Sequence, residues 1–117
     1  MAEAMTFERA DDNIYADLGV SNPAEMDAKA SLVMAIKDEI VASALSQQKA
    51  AEIIGMTQPE LSNVLRGRFR GVSQERLLNA LRALGHPIRI VIGARSGPAT
   101  PKGNNPIATL EVTREYA

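Results

Sequence analysis

The sequence has no cysteine and no tryptophan, and only two phenylalanines and two tyrosines. Without cysteine there is no disulfide, no thiol nucleophile and no cysteine-bearing zinc site. A single histidine, His86, has no nucleophile or metal-ligand partner near it in the chain. No Ser/His/Asp set, phosphate loop or metal cluster is apparent, so the chain reads as a non-enzyme with no cofactor and no metal. Nor does any apolar run approach the roughly 20 residues that cross a bilayer. The N-terminus lacks the basic-then-apolar pattern of a secretion signal. These absences together predict a cytoplasmic protein that makes no use of a membrane.

What is present suits packed helices. The chain has 117 residues, of which 45% are hydrophobic, and with so few aromatics the core must come from Ala, Leu, Ile, Val and Met. That length fits one domain with appended segments. Net charge is only −1, but it is unevenly spread. Residues 1–39 carry nine acids against Arg9, Lys29 and Lys37. Residues 46–95 carry Glu52, Glu60 and Glu75 against eight lysines and arginines. A basic middle of this kind is an electrostatic footprint for a polyanion.

The most informative stretch runs from Gln47 to Gly67. Ala50, Ala51, Ile53 and Ile54 give a first short helix one apolar face, and Gly55 stops it. Thr57 then stands as an N-cap with Glu60 three residues on, the capping-box spacing, and Pro59 falls in the first turn. Leu61, Val64 and Leu65 recur at helical intervals before Gly67. Two short helices across a tight turn make a helix-turn-helix. With its apolar residues turned inward, the second helix shows Gln58, Ser62, Asn63 and Arg66 outward. Gln and Asn can bond adenine bidentately, Arg can bond guanine, and Ser can serve a base or a phosphate. The competing reading is a structural helical hairpin, because this geometry is not confined to DNA binders.

Gln47 to Arg66 resemble the helix-turn-helix of lambda-repressor-like, Xre-type transcription regulators. The runs Asn13-Ile14-Tyr15-Ala16-Asp17-Leu18-Gly19 and Leu77-Leu78-Asn79-Ala80-Leu81-Arg82-Ala83-Leu84-Gly85 resemble a small Xre branch often found as HigA-like antitoxins. The resemblance spans about residues 13–92 and is weaker in both tails. It implies that Gln47, matching the family's first motif position, contacts phosphate, and that Gln58 reads a base. It places Thr57, Pro59, Ser62, Asn63 and Arg66 toward the groove. Pro59 departs from members with a polar side chain there and can offer only apolar contact. It further implies a repressor that acts on its own operon as the antitoxin of a small basic ribonuclease toxin. The alternative is a stand-alone or phage-derived Xre-type regulator with no toxin.

Three regions follow. Residues 1–22 form an acidic N-terminal arm in which Ile14, Tyr15, Asp17 and Leu18 offer a small apolar anchor among acids. This arm either packs on its own domain or a second subunit, or clamps a basic partner protein such as the toxin. Residues 23–85 form the DNA-binding domain. Asn22-Pro23 opens an amphipathic helix in which Met26, Ala30, Val33, Ile36, Ile40, Val41 and Ala44 recur, ending near Leu45. Ser46 caps the next helix, and Ser73 caps a last one with Leu77, Leu78, Leu81 and Leu84 inward. Between them, Arg66, Arg68 and Arg70 lie in five residues. Arg68 and Arg70 are placed to hold phosphates with Gln47 and Thr57, unless this is simply a solvated loop. Phe69 is expected to anchor that loop on the core.

Residues 86–117 complete the chain. Ile88 to Ile92 and Ile107 to Thr113 read as β-strands, separated by a Gly- and Pro-rich linker. A lone strand needs a partner, and a second subunit related by a twofold axis is the obvious one. The expected fold is thus mainly α: a lambda-repressor-like bundle of four to five helices with one or two short C-terminal strands used in dimerisation. The expected partners are a double-stranded DNA operator and a second copy of the chain.

Overall fold

The computed structural model describes residues 23–100 and 109–115. Four helices make up its regular structure: α1 (Pro23–Ala42), α2 (Gln47–Ile54), α3 (Gln58–Leu65) and α4 (Gln74–Ala83). α1 and α4 pack against each other most extensively, and α2 and α3 cross over them. The core is aliphatic, as the composition requires. Leu32, Val33, Ile36 and Ile40 of α1 meet Ala50 and Ala51 of α2, Leu61 and Val64 of α3, and Leu77, Ala80 and Leu81 of α4. Ala50 is fully buried and Ala51 nearly so, small side chains where helices must approach closely.

Local chemistry sets the helix ends. Ser46, Thr57 and Ser73 each stand in extended backbone before a helix and accept from the N–H three residues on, at 3.1, 3.2 and 3.1 Å. Gly55, at φ 90°, supplies the left-handed turn that lets α2 reverse into α3, and Met56 N–H closes it onto the Ala51 carbonyl at 3.0 Å.

α1 departs from expectation in three ways. It ends at Ala42, three residues before Leu45, in a six-to-one closure of Leu45 N–H onto the Ile40 carbonyl with Ala44 left-handed at φ 55°. Val41, expected inward, is 74% exposed. It lies on the side of the helix opposite Leu32, while the buried stripe runs through Ala28, Lys29, Leu32, Val33, Ala35, Ile36 and Ile40. Ala44 lies outside the helix and is exposed, and Met26 and Ala30 are only half-buried. The three-, four- and one-residue spacing identified a helix correctly but centred its apolar face too far round.

The C-terminal strands are the larger correction. Neither Ile88 to Ile92 nor residues 109–115 forms a strand, and the described residues contain no sheet. Extended backbone becomes a strand only when a ladder satisfies its N–H and C=O groups, and these segments find none among the described residues. Ile88 and Val112 instead pack on the helical core, and Arg89 to Glu115 (3.0 Å) and Arg114 to Asp38 (2.8 Å) tie the two segments down. Residues 107 and 108 of the second expected strand lie outside the described residues. So do Ile14, Tyr15, Asp17 and Leu18, with the whole of the expected acidic arm.

Candidate nucleic-acid interface

α3 is short, eight residues, and its two faces divide cleanly. Leu61 and Val64 are buried to 0 and 1% exposure and Leu65 packs partly on the core, which fixes the helix about its own axis. The opposite face then carries Gln58, Ser62, Asn63 and Arg66. Gln58 and Arg66 are exposed; Ser62 and Asn63 are half-buried. Pro59 is exposed on the same side. Four residues whose side chains can read base edges therefore share one outward strip.

Two of them are already joined. Arg66 Nη2 donates to Asn63 Oδ1 at 3.1 Å. The bond takes one acceptor from Asn63 and leaves its amide donors, while it narrows the range over which the guanidinium swings. It thus restricts the arginine before any ligand arrives, which reduces the rotamer entropy to be lost on binding.

The N-terminus of α3 is held twice. Thr57 Oγ1 accepts from Glu60 N–H, while the Glu60 carboxylate receives the Thr57 backbone N–H and Arg76 Nη1 of α4 at 2.7 Å. The Arg76 hydrogen bond, ahead of all other causes, holds the Glu60 carboxyl below its usual range and raises Arg76 in turn. Glu60 is the only acid in α3, and the pair offsets its charge on a surface otherwise basic. The Thr57 hydroxyl has spent a lone pair, not its proton, and can still donate to a phosphate oxygen. Gln47, at the start of α2, is exposed.

After α3 the chain turns through Gly67, with Arg68 N–H on the Asn63 carbonyl at 2.9 Å. Arg68 and Arg70 are exposed, while Phe69 between them is half-buried against the core, the anchoring role expected of it. Val72, buried, closes the loop with its N–H on the Phe69 carbonyl at 3.0 Å. Phe69 and Val72 thus point inward, and the two arginines are left in solvent.

Three polar contacts were not read from the sequence. Lys29 is buried, Glu60 pairs with Arg76, and His86 Nε2 sits 2.8 Å from Glu39 Oε1. Hydrogen bonds from Ser43 and then His86 hold the Glu39 carboxyl below its usual range. Of these, only Lys29 left a trace in sequence: it stands three and four residues before Leu32 and Val33, on the stripe that must face the core. Among the described residues no group of His, Asp and Glu side chains could hold a metal ion, and no helix is long and apolar enough to cross a membrane.

A capped pair of helices crossing over a tight glycine turn, the second presenting base-capable side chains beside an arginine loop, defines a helix-turn-helix protein. The family of helix-turn-helix domains matches residues 14–93, and the chain belongs to it. No curated protein and no solved structure gives a match.

Proposed function

We propose that this chain is a sequence-specific DNA-binding transcriptional regulator of the Xre type, acting as a repressor. The observation that carries this is the outward strip of α3, where Gln58, Ser62, Asn63 and Arg66 stand opposite a buried Leu61 and Val64. A helix of this size enters a major groove, and each bidentate side-chain-to-base pair discriminates by about 1–3 kcal/mol. Arg68, Arg70, Gln47 and Thr57 hold phosphates and set the register, carrying no sequence information themselves. The test is footprinting on the promoter of the gene that encodes the chain. Protection of two half-sites roughly 34 Å apart is expected; equal affinity for that promoter and a scrambled duplex would defeat the reading.

Such spacing requires two copies. The support for a dimer is the run Ile90, Val91 and Ile92, exposed by 77, 87 and 91% with its backbone outside any ladder. Apolar residues open on both sides of an extended segment suit pairing with the same segment of a second copy. Sedimentation tests this: the native chain is expected to be dimeric at micromolar concentration and Val91→Asp monomeric. A Val91→Asp chain that remains dimeric would move the interface to the helices.

The second functional reading is an antitoxin of the HigA-like branch. It is favoured by residues 1–22, where five acids face Arg9 alone around Ile14, Tyr15, Asp17 and Leu18. A ribonuclease presents a basic surface to RNA, and an acidic segment with apolar anchors suits that surface. Co-expression with the product of the neighbouring gene decides it. Deleting residues 1–20 should abolish neutralisation while promoter binding survives; full rescue of growth by the truncated chain would return these residues to a packing arm. A neighbouring product without toxicity would leave the stand-alone regulator.

A further inference from the structure

Lys29 is the one charged side chain of α1 turned into the core, and among the described residues no other charged residue is buried. An ammonium taken out of water costs several kcal/mol unless it is bonded. Its hydrogen bond among the described residues is long in sequence and specific in place: Nζ donates to the backbone carbonyl of Arg70 at 3.0 Å, forty-one residues away. The Glu25 carboxylate, one helical turn back, stands at 3.8 Å from the same nitrogen, close enough to offset its charge. A lysine that only filled space would be better replaced by Leu or Met. A lysine that only carried charge would reach for solvent, as its flexible stem allows.

The target of that bond is the loop that carries Arg68 and Arg70. Gly67 holds the loop at its start, and Phe69 and Val72 hold it from beneath. The peptide after Arg70 lies between those anchors, and Lys29 Nζ fixes its carbonyl. With the carbonyl drawn inward to Lys29, the Arg70 side chain is left exposed.

We infer that Lys29 is a positioning residue for the DNA backbone contact: from inside the core it sets the presentation of the Arg68–Arg70 loop to phosphate. The inference rests on the DNA-binding reading above. It predicts a phenotype on all DNA sequences alike, because phosphate contacts position and do not discriminate.

The test is Lys29→Met, which keeps the stem and removes the donor and the charge, measured beside Arg70→Ala and the double variant. Helicity by circular dichroism establishes that each is folded. Binding to promoter and scrambled duplexes is then followed across a salt series. Lys29→Met is expected to lose several-fold affinity for both duplexes equally. Its slope of log affinity against log salt should fall by about 0.9, the loss of one phosphate contact. The double variant should match Arg70→Ala, since Lys29 acts through that residue's loop. A folded Lys29→Met with an unchanged salt slope would overturn the inference and leave Lys29 as a structural group, whatever its melting temperature. A further drop in slope in the double variant would overturn it too, by assigning Lys29 an independent electrostatic effect. If Lys29→Met does not fold, Lys29→Gln, neutral and too short to span the same gap, is read by the same criteria. Failure of the parent reading looks different: the unaltered chain would then show no preference for its promoter at any salt concentration.

Discussion

The segment from Ser46 to Arg66 and the segment from His86 to Glu115 are built on opposite plans. In the first, every helix end is closed by a residue of the segment itself or of α4: Ser46, Gly55 and Thr57 on the backbone, Arg76 on Glu60. Its apolar residues are buried on one side, and its polar ones are left on the other. In the second, the described backbone makes no ladder, Arg114 on Asp38, His86 on Glu39 and the half-buried Ile88 and Val112 attach it, and its most apolar run faces solvent. The first plan gives a rigid surface that suits reading a rigid ligand. The second leaves Ile90, Val91 and Ile92 open to solvent, with no ladder among the described residues to cover them.

The sharpest way to break that contrast is to truncate one apolar residue in each. Leu61→Ala removes a fully buried side chain where α3 meets the other helices, and should cost about 2–5 kcal/mol of unfolding free energy. Val91→Ala, 87% exposed, should change the stability of the monomer by less than about 0.5 kcal/mol. Urea denaturation at submicromolar concentration measures both. A large loss at Val91 under those conditions would mean that the C-terminal segment is part of the monomer's fold.

A second test sharpens the account of the reading face. Arg66→Ala should weaken promoter binding by about 1–3 kcal/mol and relax preference at one base position. Arg68→Ala should weaken binding to every duplex and lower the salt slope by about 0.9. Because Arg66 Nη2 is bonded to Asn63 Oδ1, Asn63→Ala and Arg66→Ala should be non-additive. Strict additivity in a double-mutant cycle would mean that the two residues read the promoter independently.

The contrast also explains which parts of the molecule could be read in the sequence. Caps and turns are local: Ser46, Thr57 with Glu60, Ser73 and Gly55 each act on residues within about four positions, so their spacing carried the information. The outward strip on α3 followed from the same periodicity, and Phe69 was correctly assigned to the core. What failed depends on contacts distant in sequence. Val41 is exposed because the stripe packed against α4 and α3 runs on the far side of α1. Lys29 is tolerated in the core only because the Arg70 carbonyl, forty-one residues on, receives it. The run Ile88 to Ile92 has strand composition, but composition names no partner, and among the described residues there is none. His86 looked idle because Glu39 lies forty-seven residues before it.

The Glu60–Arg76 contact offers a smaller effect with a defined sign. Glu60 has its folded-state pKa lowered from 4.5, so the folded chain binds fewer protons there than the unfolded chain as the solution is acidified. Its contribution is therefore fully present above about pH 5 and is lost as pH falls through 4.5 toward the folded value. Glu60→Gln should lower the melting temperature modestly at pH 7 and by less at pH 3. Both partners are well exposed, so added salt should shrink the difference. An equal decrement at both pH values would assign the effect to the capping geometry of the side chain, not to its charge.

A last small effect is a gain, and it lies at the junction where α1 hands the chain to the helix-turn-helix. Three helices of the domain, α2, α3 and α4, are followed by a left-handed residue, and in each case it is glycine: Gly55, Gly67 and Gly85. α1 closes the same way, with Leu45 N–H on the Ile40 carbonyl at 3.0 Å and Ala44 N–H on the Val41 carbonyl at 3.1 Å, but the left-handed residue is Ala44 at φ 55°. An alanine there carries a clash between its Cβ and the backbone of roughly 1–2 kcal/mol that glycine escapes. Glycine in turn gives the unfolded chain more freedom, which returns about 0.4–1 kcal/mol of the advantage. Ala44→Gly should therefore stabilise the domain by about 0.5–1 kcal/mol, the difference between those opposing terms, visible as a rise of a few degrees in melting temperature. Ala44 is exposed and lies outside α3, so promoter affinity should stay the same. If Ala44→Gly instead destabilises the chain, the left-handed turn after α1 is not the ground state in solution, and α1 continues toward Leu45 as its apolar spacing first suggested.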